Sequence, residues 1–196
     1  MTVVTDDRIE AAVDDEQTLD EIFQLLERMP VPEGYKVDIV EGAIHMSPQR
    51  DTHWEIILEL AFMLRSHFGR SAKLFSDVRI DFPGDRNGFC PDLAKFREGA
   101  VRNDKGRWLY QDVEFIVEVI SRDTATNDYG PKKAAYATAE VPVYLVVDPY
   151  QRKCHVYTQP KDGEFVSELT LAFGVEIDLT DTPVGLKIAT DAFPHD

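Results

Sequence analysis

A single acid stands at the centre of the most apolar stretch of the sequence, EFIVEVIS, residues 114–121. The alternation of side chains predicts a strand in which Glu118 lies on one face between Ile116 and Ile120. Because the opposite face is also apolar, the pattern predicts a strand that is buried on both sides. A buried carboxylate must be protonated, paired with a cation or bound to a metal ion. Glu118 therefore predicts a partner next to it.

The nearest candidate partner is Asp92, at the head of the preceding short strand, DLAKF (92–96). If the loop that contains Trp108 returns the chain so that these two strands are neighbours, Asp92 and Glu118 come together. Two carboxylates at short range raise at least one pKa unless a cation lies between them. Carboxylate oxygens and water suit Mg²⁺ or Mn²⁺ better than zinc. The pair thus predicts a Mg²⁺ or Mn²⁺ site.

A lysine on the following predicted helix completes this group. Asp128, Lys132 and Tyr136 have the spacing i, i+4 and i+8, which places them along one helix face. If that face is directed at the end of the Glu118 strand, the Lys132 ammonium reaches the carboxylates. Nearby anions keep a lysine charged. Lys132 would then hold a water molecule and offset charge on a pentavalent phosphate, and would not act as a neutral base.

The elements that must position these residues follow from hydrophobic periodicity. A first helix is predicted in TLDEIFQLLERM, where Thr18 and Glu21 have capping-box spacing. A hairpin that turns at Glu41-Gly42 is predicted next. The later elements are a helix beginning at Asp51, strands in AKLFSDVRIDF, DLAKF and DVEFIVEVIS, a helix between Asp128 and Ala139, a strand in VPVYLVVDP, and C-terminal antiparallel strands. This order predicts an α/β (α+β) fold, a mixed β-sheet flanked by helices.

Length and composition favour one globular domain. The chain has 196 residues, of which 43% are hydrophobic and 29% charged. Residues 1–17 are polar and acidic and predict a mobile tail, which leaves 18–196 as the domain. No apolar run approaches the ~20 residues of a membrane helix, and the N-terminus shows no secretion signal. A cytoplasmic location and no membrane partner are the default expectation.

The charge distribution bears on nucleic-acid binding. A net charge of −15 opposes it, because phosphate contacts need lysine and arginine. The loop 95–108 is locally basic, and although such a loop is most simply solvated, it is the best candidate for meeting a phosphate backbone. The candidate nucleic-acid-binding residues in it are Arg97, Arg102, Lys105 and Arg107.

Pro91-Asp92, an acid on the next strand and a nearby lysine resemble the PD-(D/E)XK nuclease superfamily, with its restriction-endonuclease-like fold. The chain is more closely similar to the Uma-two-type bacterial family of restriction-endonuclease-like proteins. The likeness extends over residues 35–149 and is carried by YKVDIVEGAIHMSP, His53, CPDLAKF and FIVEVISRDTATNDYGPKKAAYATAEVPVYLVVDP.

The resemblance implies roles for individual residues. It implies Asp92 and Glu118 as metal-binding acids, with the carbonyl of Val119 as a further ligand. In the superfamily the catalytic lysine usually comes two positions after the second acid, where this chain has Ile120. In the family the lysine lies on the next helix, at Lys132, so Asp92, Glu118 and Lys132 are the implied catalytic residues.

Four further residues are secondary candidates. Asp38 matches an acid before the hairpin turn and His53 a histidine that opens the second helix, and either could touch the metal or an outer water. Asp128 is most simply an N-cap, and Tyr136 a core residue with its hydroxyl at the surface.

Two functions follow. The first is a metal-dependent endonuclease that hydrolyses phosphodiester bonds in DNA and works as a homodimer, since cutting two strands calls for two sites. The second is a catalytically silent nuclease fold that serves as an interaction or regulatory module, which the acidic composition favours.

Overall fold

The computed structural model of the chain describes the backbone of residues 2–5 and 8–11, and residues 16–31, 33–48, 50–121 and 125–194 in full. The helices in these ranges are α1 (Leu19–Leu26), α2 (Asp51–Phe68), α3 (Ala125–Tyr129) and α4 (Pro131–Thr138). The strands are β1 (Thr2–Thr5), β2 (Arg8–Ala11), β3 (Tyr35–Val40), β4 (Ala43–Pro48), β5 (Leu74–Phe75), β6 (Ile80–Phe82), β7 (Asn87–Phe89), β8 (Leu93–Phe96), β9 (Trp108–Leu109), β10 (Val113–Val119), β11 (Val143–Asp148), β12 (Lys153–Lys161), β13 (Glu164–Ala172), β14 (Ile177–Asp178) and β15 (Lys187–Ile188).

A six-stranded mixed sheet, in the order β13-β12-β11-β10-β8-β5, forms the centre of the fold. Its β10 and β11 are parallel and are joined through α3 and α4, whereas its other neighbouring strands are antiparallel. A second sheet has the order β1-β2-β4-β3-β7-β6-β9, and β14 pairs with β15. The predicted α/β fold with a mixed sheet flanked by helices is confirmed.

Strand β10 is buried on both faces, as its sequence predicts. Val117 and Val119 belong to the core that includes α2, and Ile116 and Ile120 belong to the core that includes Tyr136 of α4. Each fully buried aliphatic side chain contributes roughly 1.5–3 kcal/mol to the free energy of folding. This packing therefore holds the backbone around Glu118 between two layers of helix.

Helix α1 and the β3–β4 hairpin form a third packing unit. Thr18 and Glu21 make the predicted capping box at the start of α1. The hairpin turns at Glu41 and Gly42, with φ values of 49° and 78°, as a two-residue turn with left-handed backbone requires. Close approach of α1 to β7 depends on Gly88, because a Cβ there would lie 2.5 Å from the Phe23 ring.

Three predicted elements differ from the structure. AKLFSDVRIDF forms β5 and β6 in two different sheets, and Asp77 between them has a φ of 55° that no strand accommodates. The helix predicted between Asp128 and Ala139 is broken at Gly130, after which Pro131 opens α4. The expected tail, residues 1–17, includes β1 and β2, and β2 pairs with β4. The mobility of this segment and the 18–196 boundary stay predictions.

Along the part of the chain that the structure describes, no helix is both long and apolar enough to cross a bilayer.

Candidate active site

Neighbouring strands bring the two predicted acids together. Asp92 directly precedes β8, and β8 pairs with β10 so that Leu93 lies opposite Val117. Asp92 and Glu118 are thereby adjacent, each with 1% of its surface exposed. The backbone N–H of Asp92 lies 3.4 Å from Glu118 Oε2. The expectation that these strands lie side by side is confirmed.

Asp92 is held by three groups. Its Oδ2 accepts a hydrogen bond from the backbone N–H of Val119 at 2.7 Å, and its Oδ1 accepts one from Lys36 Nζ at 2.9 Å. His53 Nε2 lies 3.0 Å from Oδ2, without the alignment of a hydrogen bond. Burial acts to raise the pKa of Asp92, but the charges of His53 and Lys36 outweigh it and hold that pKa well below its ordinary range. The Val119 N–H thus stabilises the Asp92 carboxylate. That the Val119 carbonyl is a metal ligand stays a prediction.

Glu118 lies between two lysine side chains. Its Oε2 is 2.8 Å from Lys36 Nζ, and its Oε1 is 3.1 Å from Lys132 Nζ. The hydroxyl of Tyr136 donates to Oε1 at 2.7 Å. Tyr136 is fully buried, so the expectation of a hydroxyl at the surface is wrong: the ring packs in the core and the hydroxyl binds a carboxylate. The acid in the apolar strand is therefore stabilised by two cations and a hydroxyl.

Lys36 is the site residue that sequence reasoning missed. It lies on β3, two positions before Asp38 and on the same face of that strand, and its side chain is 5% exposed. Burial acts to lower the pKa of Lys36, but Asp92 and Glu118 raise it well above the ordinary value. The available signal was two opposite charges at i and i+2 in the otherwise apolar strand YKVDIV.

Lys132 forms ion pairs with three carboxylates. Its Nζ lies 2.8 Å from Asp38 Oδ2, 3.1 Å from Asp128 Oδ1 and 3.1 Å from Glu118 Oε1. Burial acts to lower the pKa of Lys132, but these acids raise it well above its ordinary value. The ammonium therefore stays charged, as the sequence predicts for this position.

Asp38 and Asp128 have opposite electrostatic surroundings. Burial acts to raise the pKa of Asp38, but Lys132 and Lys36 outweigh it and lower that pKa, and Asp38 Oδ1 also accepts from the Cys90 N–H at 2.7 Å. Burial raises the pKa of Asp128 to about 7, because the opposing charge of Lys132 is not sufficient. Asp128 lies inside α3 and contacts Lys132, so its interpretation as an N-cap is wrong.

The charges of the site do not balance when all four acids are ionised. Against these carboxylates stand the ammonium groups of Lys36 and Lys132 and the imidazole of His53, so the acids are in excess. The four acids are Asp38, Asp92, Glu118 and Asp128, all buried. The raised pKa of Asp128 reduces this excess, because the protonated acid carries no charge.

The donor atoms fit magnesium or manganese in their chemistry. Asp92 Oδ1 and Glu118 Oε2 converge on one buried point, which lies within 2.9 Å of each, and both are carboxylate oxygens. In this structure that point is the position of Lys36 Nζ. Among the described residues, no group of three or more His, Cys, Asp or Glu side chains is arranged to hold a metal ion. The acids therefore fit such an ion provided that the ammonium moves.

The four basic residues predicted to bind nucleic acid are largely engaged elsewhere. Arg107 lies 2.6 Å from Asp20 and 2.9 Å from Asp81, and so ties α1 to β6. Lys105 lies 3.4 Å from Asp20. Burial acts to raise the pKa of Asp20, but Arg107, Arg79 and Lys105 outweigh it and lower that pKa to about 2.

The remaining two basic residues differ from each other. Arg97 Nε lies 2.6 Å from Asp112 Oδ1. The Arg102 guanidinium lies over the Trp108 ring at 5.3 Å. The structure thus pairs three of the four with acids and stacks the fourth on an aromatic ring.

Comparison with known proteins shows the type of fold and the family. The chain is similar to a solved structure from Anabaena variabilis ATCC 29413, described as "a putative nuclease belonging to DUF820", with a TM-score of 0.68 and 18% identity. The match covers 90% of this chain and 97% of that one, so this protein has a nuclease-like α/β fold. The sequence pattern of the Uma2 family, described as "Putative restriction endonuclease", matches residues 22–191. The chain belongs to this family. No curated protein matches it.

Proposed function

We propose that this protein is a metal-dependent endonuclease that hydrolyses phosphodiester bonds in DNA. The observation that carries the proposal is the convergence of Asp92 and Glu118 on one buried point, with Lys132 on the other oxygen of Glu118. The family to which the chain belongs supports the same reaction.

Asp92 and Glu118 would hold Mg²⁺ or Mn²⁺, which supplies Lewis-acid chemistry when bound: it polarises a phosphoryl oxygen and makes water more acidic. Lys132 would hold a water molecule or offset negative charge on the phosphate, which requires its ammonium to leave one of its three carboxylate partners. Tyr136 fixes the orientation of Glu118 through its hydroxyl. The Val119 N–H fixes Asp92 in the same way, and His53 Nε2 lies 3.0 Å from Asp92 Oδ2.

Access to the site is supported by a cavity of about 430 Å³ beside it. Lys36 and Cys90 form part of its wall, and Phe23 and Arg79 line it on the side of α1. Arg79 is itself paired with Asp20 and Asp81, and its guanidinium lies over the Phe23 ring at 3.6 Å.

A plasmid-nicking assay with Mn²⁺ tests the proposal. Wild type should convert supercoiled to nicked DNA, and Asp92→Asn and Glu118→Gln should each lose at least a hundredfold in rate. Asp85→Asn is the matched control, because Asp85 is an acid whose side chain is 74% exposed. Lys132→Met should also lose cleavage, whereas Lys133→Met, which removes a pair with Glu168 at the surface, should retain it. Equal nicking by wild type and Asp92→Asn would contradict the proposal.

The second candidate is a nuclease fold that binds or assembles without cutting. The position of Lys36 between the two acids and the pairing of the basic loop with acids both favour it. Metal-dependent melting shifts in wild type without any nicking would support this alternative.

We also propose that the protein is a homodimer that pairs through α2. Three large apolar side chains lie on one face of this helix at i, i+4 and i+8: Trp54 is 53%, Leu58 38% and Phe62 61% exposed. A second copy fits this face, because an antiparallel pair of α2 helices centred on Leu58 puts Trp54 of each against Phe62 of the other.

Size-exclusion chromatography with light scattering measures the mass of the protein in solution and so tests the dimer. Phe62→Asp should give a monomer, whereas Val166→Asp on β13, at a residue that is 64% exposed, should leave the mass of wild type. A monomeric wild type, or a dimeric Phe62→Asp variant, would contradict pairing through α2.

A further inference from the structure

The ammonium of Lys36 stands at the position where the two acids converge. Its Nζ lies 2.9 Å from Asp92 Oδ1 and 2.8 Å from Glu118 Oε2. The side chain comes from β3, which belongs to the other sheet, and is 5% exposed. Lys132 Nζ contacts the other carboxylate oxygen of Glu118, Oε1, so the two ammonium groups hold different positions.

We infer that Lys36 is an internal counter-cation, which a divalent metal ion must displace and which therefore sets the metal affinity of the site. A magnesium ion binds carboxylate oxygens at about 2.0–2.1 Å. An ion at that distance from both oxygens would overlap the present position of the ammonium, and two cations in contact repel. Metal and Lys36 Nζ therefore exclude each other from this point.

The surroundings give the displaced ammonium a place to move. Asp38 Oδ2 is the next acceptor, 3.9 Å from Lys36 Nζ. The cavity of about 430 Å³ lies along the same side chain. Lysine has four rotatable bonds, so its Nζ can leave the acids while the backbone of β3 stays in register with β4.

Loss of Lys36 should have opposite effects with and without metal. Without metal, Lys36→Met leaves Asp92 and Glu118 facing each other with one cation fewer, so the melting temperature should fall. With Mn²⁺, the same variant needs no displacement, so the ion should bind at least tenfold more tightly and the melting shift should exceed that of wild type. A lysine with a purely structural role would lower the melting temperature without tightening the binding of metal.

Mn²⁺ binding followed by electron paramagnetic resonance of the free ion tests this role directly, without any measurement of cleavage. Wild type, Lys36→Met and Lys36→Gln are titrated with Mn²⁺ alone, with Lys153→Met, at an exposed lysine, as the matched control. The expected result is tighter binding by Lys36→Met, and by Lys36→Gln if the methionine variant does not fold, with Lys153→Met equal to wild type.

Because this role for Lys36 rests on the proposed metal-dependent function, Asp92→Asn is titrated in parallel. Binding by wild type that Asp92→Asn loses, together with equal or weaker binding by both Lys36 variants, would overturn the role of Lys36 and leave the proposed function standing. No Mn²⁺ binding by wild type or either Lys36 variant would overturn both. Binding by the Lys36 variants alone would support the role of Lys36 and favour the silent alternative for wild type.

Discussion

Lys132 Nζ on α4 lies 2.8 Å from Asp38 Oδ2 on β3, although 94 positions separate the two residues in the chain. The same ammonium contacts Glu118 and Asp128, so it stabilises three buried carboxylates at once. Removal of Lys132 therefore leaves more uncompensated charge than removal of any one acid.

We expect Lys132→Met to lower the free energy of unfolding by about 3–5 kcal/mol, the usual effect of breaking a buried ion pair. Asp38→Asn should lower it by less, because Lys132 keeps two other partners. The double variant should lose less than the sum of the single losses, by about 0.5–3 kcal/mol. Urea denaturation measures all three, with Lys133→Met as the control. Additive losses would show that the two residues do not interact.

The hydroxyl of Tyr136 should matter more for stability than that of Tyr144, although both rings are fully buried. Tyr136 donates to the Glu118 carboxylate at 2.7 Å, whereas Tyr144 donates to the backbone carbonyl of Asp128 at 2.9 Å. Bonds to charged groups contribute about 1.5–3 kcal/mol and neutral ones about 0.5–1.5 kcal/mol. Tyr136→Phe should therefore lower the free energy of unfolding more than Tyr144→Phe in matched denaturation curves. Equal losses would contradict this difference between the two hydrogen bonds.

Asp128 should make the metal-free protein less stable as the pH rises. Burial raises its pKa from 3.8 to about 7, so between these values the folded state keeps a proton that the unfolded state has released. The free energy of unfolding then falls with rising pH across this window, by at most about 1.4 kcal/mol per unit for one proton.

Comparison with Asp128→Asn isolates this contribution. The asparagine variant should show a shallower fall in stability between pH 5 and pH 7 in urea titrations, because other titrating groups act equally in both proteins. Asp85→Asn, at an exposed acid, should follow the wild-type curve. Parallel curves for wild type and Asp128→Asn would contradict a raised pKa at this residue.

Arg102 and Arg107 should differ in their effect on DNA binding. Arg107 is held by Asp20 and Asp81, whereas Arg102 stacks on Trp108. If the loop meets a phosphate, Arg102→Gln should reduce the slope of log affinity against log salt by about 0.9, the value for one phosphate contact.

Arg107→Gln should leave that slope unchanged and lower the melting temperature, since it removes the ion pairs of Arg107 with Asp20 and Asp81. Fluorescence anisotropy with a short duplex, in the Glu118→Gln background without metal, measures the slopes without cleavage. A smaller slope for Arg107→Gln would show that its ion pairs open to bind DNA.

Local patterns in the sequence determined the main helices and strands and the acidic residues of the site. The alternation in EFIVEVIS predicted a strand buried on both faces, and the isolated charge of Glu118 predicted a partner, which the contacts of that side chain confirm. The capping box at Thr18 and the turn at Glu41-Gly42 were likewise predictable. These features depend on residues within a few positions of each other, whose spacing fixes which side chains share a face.

Only the tertiary structure decided which cations meet the acids. Lys36 reaches Glu118 across 82 positions and from a different sheet, so no periodicity of β3 indicates that contact. The ion pairs of Arg107 with Asp20 and Asp81 are equally absent from local patterns, and they turn a predicted nucleic-acid contact into a link between elements. The physical reason is that charges pair through space, according to which surfaces the packed core brings together.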